Sequence, residues 1–330
     1  MNLLVVGLGA GVMSLVMTWL LIKLATRYQI VDIANERSLH SEQTPRGGGL
    51  ALVIVFVLFG AMSLQAEGVQ TAELILYMAV VVASGGLGFI DDLFGLGGAI
   101  RLLCQLFIAS VFAYLAFSLL PDIPAYGLML LVVAFVWTVN ATNFMDGADG
   151  LLSSQATLIF AMIAAILLLS DAETPGIIAL LLASSCAGFL CLNWQPASIF
   201  LGDVGSYFIG AQIAVFAIYL PSIDISPYVV LILVTPLLAD AAFTLVLRIA
   251  SGNAFWRAHR EHVYQRWILS GTSHRNTAVR LLLVHCFLFS PLALLCWKNP
   301  QYGSELFAID VILVFSLWSI LRFKVLRTQP

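Results

Sequence analysis

The sequence predicts an all-α, polytopic membrane bundle of about eleven helices, and three observations predict it. The chain is 61% hydrophobic over 330 residues and only 10% charged, where soluble domains carry about 25% charged residues. Its apolar residues fall in continuous runs of about twenty, the length that crosses a ~30 Å hydrocarbon core as a helix. They do not form the alternating ten-residue segments of a membrane barrel. Lipid offers the backbone no hydrogen-bond partner, so runs of this kind must close their bonds internally as helices.

The runs place spans at 3–25, 47–65, 73–90, 100–120, 125–140, 151–170, 176–193, 204–221, 226–248, 278–297 and 305–322. Turn residues punctuate them: Pro121-Asp122-Ile123-Pro124, Thr174-Pro175-Gly176, Pro221 to Pro227, and Asn299-Pro300. The first run has no basic region before it and is long enough to span, so it reads as a helix and not a cleaved signal peptide. No linker, repeat or shift in composition divides residues 1–330, which are expected to form a single integral-membrane catalytic domain. Cys104, Cys186, Cys191, Cys286 and Cys296 all sit in apolar runs, with no CxxC or Cys/His metal spacing, and read as small packing residues.

Charge gives the orientation. If eleven spans alternate, Lys23, Arg27, Arg37, Arg46, Arg101, Arg248, Arg257, Arg260, Arg266, Arg275, Arg280, Arg322, Lys324 and Arg327 fall on one side and only Lys298 on the other. Basic loops stay cytoplasmic, so the N-terminus is expected in the periplasm and the C-terminus in the cytoplasm. The opposite loops are short and acidic.

The polar clusters all fall on that basic side. A transporter gathers its polar groups near the bilayer midplane; grouping at one interface favours an enzyme with a cytosolic substrate. Asp91 and Asp92 end the third span against the helix dipole, which favours cations there. Neighbours on a helix point about 100° apart, so the two should have different partners, Arg101 among them. Asn140, Asn143, Asp146 and Asp149 step by three, and Gly147 and Gly150 should break the helix and let the later carboxylates turn inward. These hard oxygens suit Mg²⁺, which takes one or two protein carboxylates together with substrate phosphates; the other reading is a self-capping turn.

Phe200-Leu201-Gly202-Asp203 opens the eighth span. Asp203 can cap that helix or hold a metal while the nearby amides hold phosphate, and Phe200 offers a ring face to a base. His259 and His262, spaced to share a helix face, read either as sugar or diphosphate contacts or as part of an interfacial segment anchored by Trp256, Arg257, Tyr264, Arg266 and Trp267. Arg46 precedes Gly47-Gly48-Gly49, where a backbone can approach closely; His40 lies in the same loop. Asp240 reads as a structural partner of Arg248 or another basic group, and His285 as a hydrogen-bonded packing residue.

Together, Asp91-Asp92, Asn140-x-x-Asn143-x-x-Asp146-Gly-x-Asp149-Gly150, Phe200-Leu-Gly-Asp203-x-Gly205-Ser206 and His259-x-x-His262 resemble the polyprenyl-phosphate N-acetylhexosamine-1-phosphate transferases. The resemblance runs from the first cytoplasmic loop through His262. It implies transfer of a sugar 1-phosphate from a UDP-N-acetylhexosamine to undecaprenyl phosphate, release of UMP, and Mg²⁺ or Mn²⁺, in the bacterial inner membrane. It implies Asp203 and Asn143 at the metal, and Asp149, Asn193 and Phe200 at the uridine. Asp91 and Asp92 would lie by the lipid phosphate, and His259 and His262 by the diphosphate or sugar. Asp146, Arg46 and Arg101 complete the expected substrate-binding set.

Two departures separate the chain from the phospho-N-acetylmuramoyl-pentapeptide branch: Leu93-Phe94-Gly95 follows the Asp pair where that branch has a Lys, and the late histidines are spaced where it has a triplet. The late loop is more similar to the O-antigen-initiating branch, with N-acetylglucosamine or N-acetylfucosamine as sugar. The expected partners are the two substrates and membrane lipid, with no nucleic acid; monomer and homodimer both stay open. The competing classes are a transporter of nucleotide-sugar or lipid-linked sugar and a noncatalytic scaffold.

Overall fold

The computed structural model describes residues 3–28, 31–32, 44–65, 71–253 and 259–328; Arg37, His40, Trp256 and Arg257 lie outside the described residues. The elements are α1 (Leu3–Tyr28), β1 (Val31–Asp32), β2 (Thr44–Pro45), α2 (Leu50–Gln65), α3 (Thr71–Phe94), α4 (Gly98–Leu119), α5 (Ala125–Phe144), α6 (Leu151–Leu169), α7 (Glu173–Asn193), α8 (Gly202–Ser222), α9 (Tyr228–Ala250), α10 (Val263–Leu269), α11 (His274–Val284), α12 (Ser290–Lys298) and α13 (Gly303–Thr328). A π turn over His285–Phe289 joins α11 to α12 in one span. The two short strands pair antiparallel, Val31 opposite Pro45.

Among the described residues, ten helices are long and apolar enough to cross a membrane. At 16 residues α2 falls short of them, yet it still carries the chain from one end of the bundle to the other. It starts beside the N-terminus of α8, where Gly49 N–H donates to Leu201 O at 2.8 Å. The returning helix, α3, ends beside the same place, with Asp92 bonded to the first amides of α8. Among the described residues there are thus ten candidate spans and one shorter apolar helix, where the hydrophobic runs predict about eleven spans. Val6 and Ala10 of α1 pack on Ile177 and Leu181 at the start of α7, so the chain begins at the end opposite Asp92. In α13, Trp318 reaches the Asp92 end by bonding Asp240.

Boundaries moved where backbone found better partners. Residues 47–49, expected inside the second span, are not helical: Gly48 and Gly49 donate to Phe200 O and Leu201 O, and Phe200 N–H donates to Pro45 O. The fifth span runs on to Phe144 and the tenth begins at His274.

At the centre stands α8, buried without interruption from Val204 to Phe216 and flanked by α3, α5, α4, α9 and α2. Bilayer helices gain nothing from hydrophobic exclusion, so they associate through close packing of small residues and through interhelical hydrogen bonds. Both occur here. Gly49 lies against Gly205, and Gly88 of α3 lies against the Asp203 carbonyl, with no room for a methyl at either position. Tyr77 Oη donates to Gln212 Oε1 (2.6 Å), and Ser14 Oγ to Ser185 O (2.7 Å). His285 is the packing residue the sequence indicated, fully buried with Nδ1 2.7 Å from Gln155 Oε1. The five cysteines are free.

The α3–α8 contact is testable. Gly88→Ala should cost about 1–3 kcal/mol through overpacking and lower the thermal midpoint of the detergent-solubilised protein. An unchanged midpoint would show that these backbones do not meet as described.

Candidate active site

The acid cluster is built from helix ends that sequence places far apart. Asp91 and Asp92, adjacent in the last turn of α3, point to different partners, as their 100° separation demands. Asp91 Oδ1 accepts from Leu96 N–H (2.8 Å), while Oδ2 accepts from Tyr207 Oη (3.1 Å) and pairs with Arg101 (3.3 Å). Asp92 turns the other way. Its Oδ1 and Oδ2 accept from the N–H groups of Asp203 and Val204, each at 3.0 Å, and Arg46 Nη2 donates to Oδ1.

This geometry corrects two expectations. Asp203 does not cap its own helix; no side chain of the cap residue Leu201 does either. The first free amides of α8 are closed from outside by Asp92, and the amides expected to hold phosphate are already bonded. Gly202 makes the approach possible: it lies at φ 76°, and a Cβ there would meet Asp92 Oδ2.

With its amide bonded to Asp92, Asp203 keeps its own carboxylate partly exposed, at 21%. Asn143 Nδ2 donates to Asp203 Oδ1 (2.6 Å) and to Ser206 Oγ (3.0 Å), and Arg46 Nη2 lies 3.9 Å from Asp203 Oδ2. Asn140, one turn earlier on α5, faces α4 and bonds Gln105, so the asparagines do diverge. After Phe144 the helix stops, and Gly150 at φ 69° turns the chain into α6. Asp146 sits half-buried in that turn. Desolvation and the nearby Asp203 and Asp92 hold its carboxyl well above the usual range, with Arg46 opposing.

Asp149 is placed at the other side of the turn. Its N–H donates to His274 Nδ1, its Oδ1 is 3.2 Å from the same nitrogen, and its Oδ2 accepts from Ala197 N–H. Asn193 is 4% exposed; it accepts from Gly150 N–H and Ser153 Oγ and donates to Ile199 O. Its side chain ties the turn to the loop before α8. Phe200 is half-buried in that loop.

The late histidines do not share a helix face. His259 lies in irregular chain and His262 is the residue before α10, with ring centres 5.0 Å apart. Phe144 and Tyr264 flank His262 at 5.9 and 6.1 Å. Burial, His262 and Arg248 push His259 down to about 4, and burial pushes His262 down as well, so at neutral pH the pair is uncharged.

Asp240 is not the partner of Arg248, which pairs with Glu261. It caps α10, accepting from Val263 N–H (2.9 Å), Tyr264 N–H (3.1 Å), Thr244 Oγ1 (3.1 Å) and Trp318 Nε1 (2.9 Å). Tyr264, read as an interfacial anchor, is 2% exposed. Its Oη donates to Phe144 O and accepts from Gly147 N–H, bracing the Asp146 turn. The sequence held no periodic signal for Tyr264, Tyr207 or His274, since each acts through long-range bonds.

The model described as glycosyl transferase family 4 matches residues 74–221, a stretch holding every acid and amide of the cluster. A decaprenyl-phosphate N-acetylglucosaminephosphotransferase of Mycobacterium leprae is 31% identical, over 86% of this chain and 81% of its own. The chain belongs to this family. It is a membrane phosphotransferase of the polyprenyl-phosphate sugar-1-phosphate type. A probable undecaprenyl-phosphate N-acetylglucosaminyl 1-phosphate transferase of Bacillus subtilis is 27% identical over 91% of this chain and 86% of its own. A phospho-N-acetylmuramoyl-pentapeptide-transferase of Deinococcus radiodurans is 27% identical over 83% and 94%. Relatives of both branches align well beyond the matched stretch, and Arg46, His259 and His262 lie outside it.

Two predictions follow from the geometry. Asp92→Ala should expose the Asp203 and Val204 amides and remove the Arg46–Asp92 bond, costing about 0.5–2 kcal/mol as lost caps do. Hydrogen exchange at those two amides should speed up; unchanged protection would deny the cap. For His259, the folded protein takes a proton near 4 and the unfolded chain at about 6.5. Stabilisation from the neutral ring is therefore present above pH 6.5 and lost as pH falls from 6.5 towards 4. Imidazole titration by NMR should show the depressed value, and a midpoint near 6.5 would rule it out.

Proposed function

We propose that the protein transfers an N-acetylhexosamine 1-phosphate, of the N-acetylglucosamine or N-acetylfucosamine type, from a UDP-sugar to undecaprenyl phosphate and releases UMP. The reaction would run on the cytoplasmic face of the bacterial inner membrane as the step that starts an O-antigen or related glycan, with residues 1–330 acting as one catalytic unit. The observation that carries this reading is the meeting of Asp91, Asp92, Asn143, Asp146 and Asp203 with Arg46 and Arg101 at one end of the bundle, where the basic loops also gather. Ionisable groups are expensive in a membrane protein and mark its functional sites.

The donor set fits Mg²⁺ or Mn²⁺. Among the described residues no three His, Cys, Asp or Glu side chains form a ready metal cage. Mg²⁺ does not ask for one, because it keeps waters and substrate phosphates in its shell beside one or two carboxylates. Asp203 and the Asn143 amide oxygen would hold it, with Asp146 close enough to feel Asp203. When bound, the ion neutralises charge on the diphosphate and on departing UMP.

The protein's own groups position the reactants. A lipid phosphate oxygen attacks the β-phosphorus, the bond to the UMP oxygen breaks, and the leaving charge stays on UMP. A phosphate monoester has its second pKa near 6, so the acceptor needs no strong base. Asp91 and Asp92 fit that economy: each carboxylate is committed to fixed donors, Asp91 holding Arg101 and Asp92 holding Arg46 and α8. Both arginines remain about a third exposed and would meet phosphate oxygens. This favours orientation and a single displacement over an aspartyl-phosphate. Phe200 and Asp149 would face the uridine, with Asn193 shaping that pocket from behind. The neutral His259 and His262 would hydrogen-bond the sugar or diphosphate without adding charge.

The test is UMP release from a panel of UDP-sugars, including the UDP-muramoyl-pentapeptide of the relatives' other branch, with undecaprenyl phosphate as acceptor. An N-acetylhexosamine donor should be used and the pentapeptide donor refused; UMP from the pentapeptide donor alone would overturn the assignment. Asp203→Asn should lower turnover by at least ~10²-fold, with added Mg²⁺ giving no recovery. Near-normal release would remove Asp203 from the metal.

A further inference from the structure

We propose that the same end of the bundle carries a second lipid site, for an anionic phospholipid, separate from the acid cluster. A cavity of about 370 Å³ lies between α6, α9, α10, α11 and α13, within the size range of ligand pockets. Leu237, Leu281, Phe289, Val314 and Leu317 make its wall hydrocarbon-like, whereas Arg280, Lys324 and Trp267 belong to its lining from the basic loop side. The Arg280 guanidinium stands 5.0 Å from the Trp267 ring. Tryptophan settles at headgroup level, and basic pockets between membrane helices take anionic headgroups. Apolar walls beneath two cations select an amphiphile: an acyl chain for the cavity and a phosphate for Arg280 and Lys324.

This lipid is not the reaction's acceptor. Arg280 and Lys324 stand on α11 and α13, whereas the cations beside the acid cluster are Arg46 and Arg101, bonded to the end of α3. Tyr264 is the partition. It lines the cavity, while its hydroxyl bonds Phe144 and Gly147 on the acid-cluster side. Asp240 and Trp318, which hold α10, line the cavity too. A chain packed there bears directly on the residues that brace the Asp146 turn, so lipid binding and the geometry of the acid cluster are coupled.

The experiment is thermal unfolding of the full-length, detergent-solubilised protein with added phosphatidylglycerol, phosphatidylcholine or undecaprenyl phosphate. Phosphatidylglycerol should raise the midpoint by ~2–4 °C and phosphatidylcholine should not. Arg280→Ala with Lys324→Ala should keep the midpoint seen without lipid and lose the difference. Leu321→Trp, which narrows the cavity and leaves both cations, should lose it as well. Equal response to the two phospholipids, or a preference that survives in the double variant, overturns the proposal. So does a shift with undecaprenyl phosphate that the double variant alone abolishes, since that would give the cavity to the acceptor. None of these readouts needs turnover, so the proposal stands or falls apart from the assigned reaction.

Discussion

The structure depends on one carboxylate laid across one helix end. Asp92 closes the Asp203 and Val204 amides in the first turn of α8 and binds Arg46, and it does this from the last turn of α3. A helix N-terminus inside a membrane bundle leaves donors that lipid cannot satisfy. A helix C-terminus leaves the opposite problem for an acid, because the dipole there repels negative charge. Placing the acidic end of α3 against the open start of α8 answers both at once. Arg46 then offsets the remaining charge and brings the segment before α2 into the site.

That contact explains why Asp203 is available. A residue in the first turn of a helix would ordinarily be a candidate cap. Here the capping is done by another chain segment, so the Asp203 side chain is left for Asn143 and Arg46, which steady it. The same division recurs at Asp240 and α10. In both places a carboxylate on one long helix closes the start of another, and the side chains of the capped helix are then directed at the Asp146 turn. Buried acids of this kind hold helix ends in register.

Much of this was legible in the chain. Continuous apolar runs located the long helices: ten among the described residues are long and apolar enough to span, and α2, also expected as a span, is shorter. Asp91, Asp92, Asn143 and Asp203 stood out because polar groups at the ends of such runs are costly. What stayed hidden was direction. Periodicity says which face of a helix a residue occupies, but not which distant backbone it meets, so Asp203 could be read as a cap and Asp240 as an arginine's partner. Asn193, which the resemblance places at the uridine, also ties the Asp146 turn to the loop before α8, a bond pattern that spacing does not reveal. Residues 47–49 looked like helix because glycine is silent about its partners; their hydrogen bonds go to Phe200 and Leu201. Tyr264 read as an interfacial anchor, and its part in bracing the Asp146 turn stayed hidden because it rests on two bonds to backbone about 120 residues away.

The position of that tyrosine also bears on how one scaffold serves relatives with different sugars. The acids and amides of the cluster lie on α3, α5, α8 and the Asp146 turn, within the stretch matched by the family model. The late loop lies beyond it, yet it is joined to the cluster twice. Tyr264 holds Phe144 and Gly147, and His274 meets Asp149. A loop joined to the cluster through a few such anchors can change its remaining side chains while those anchors stay in place. Substitutions around His259 and His262 would then alter what the sugar meets without moving Asp203. Sugar choice and phosphoryl chemistry would thus be carried by different segments, held in register by a tyrosine and a histidine.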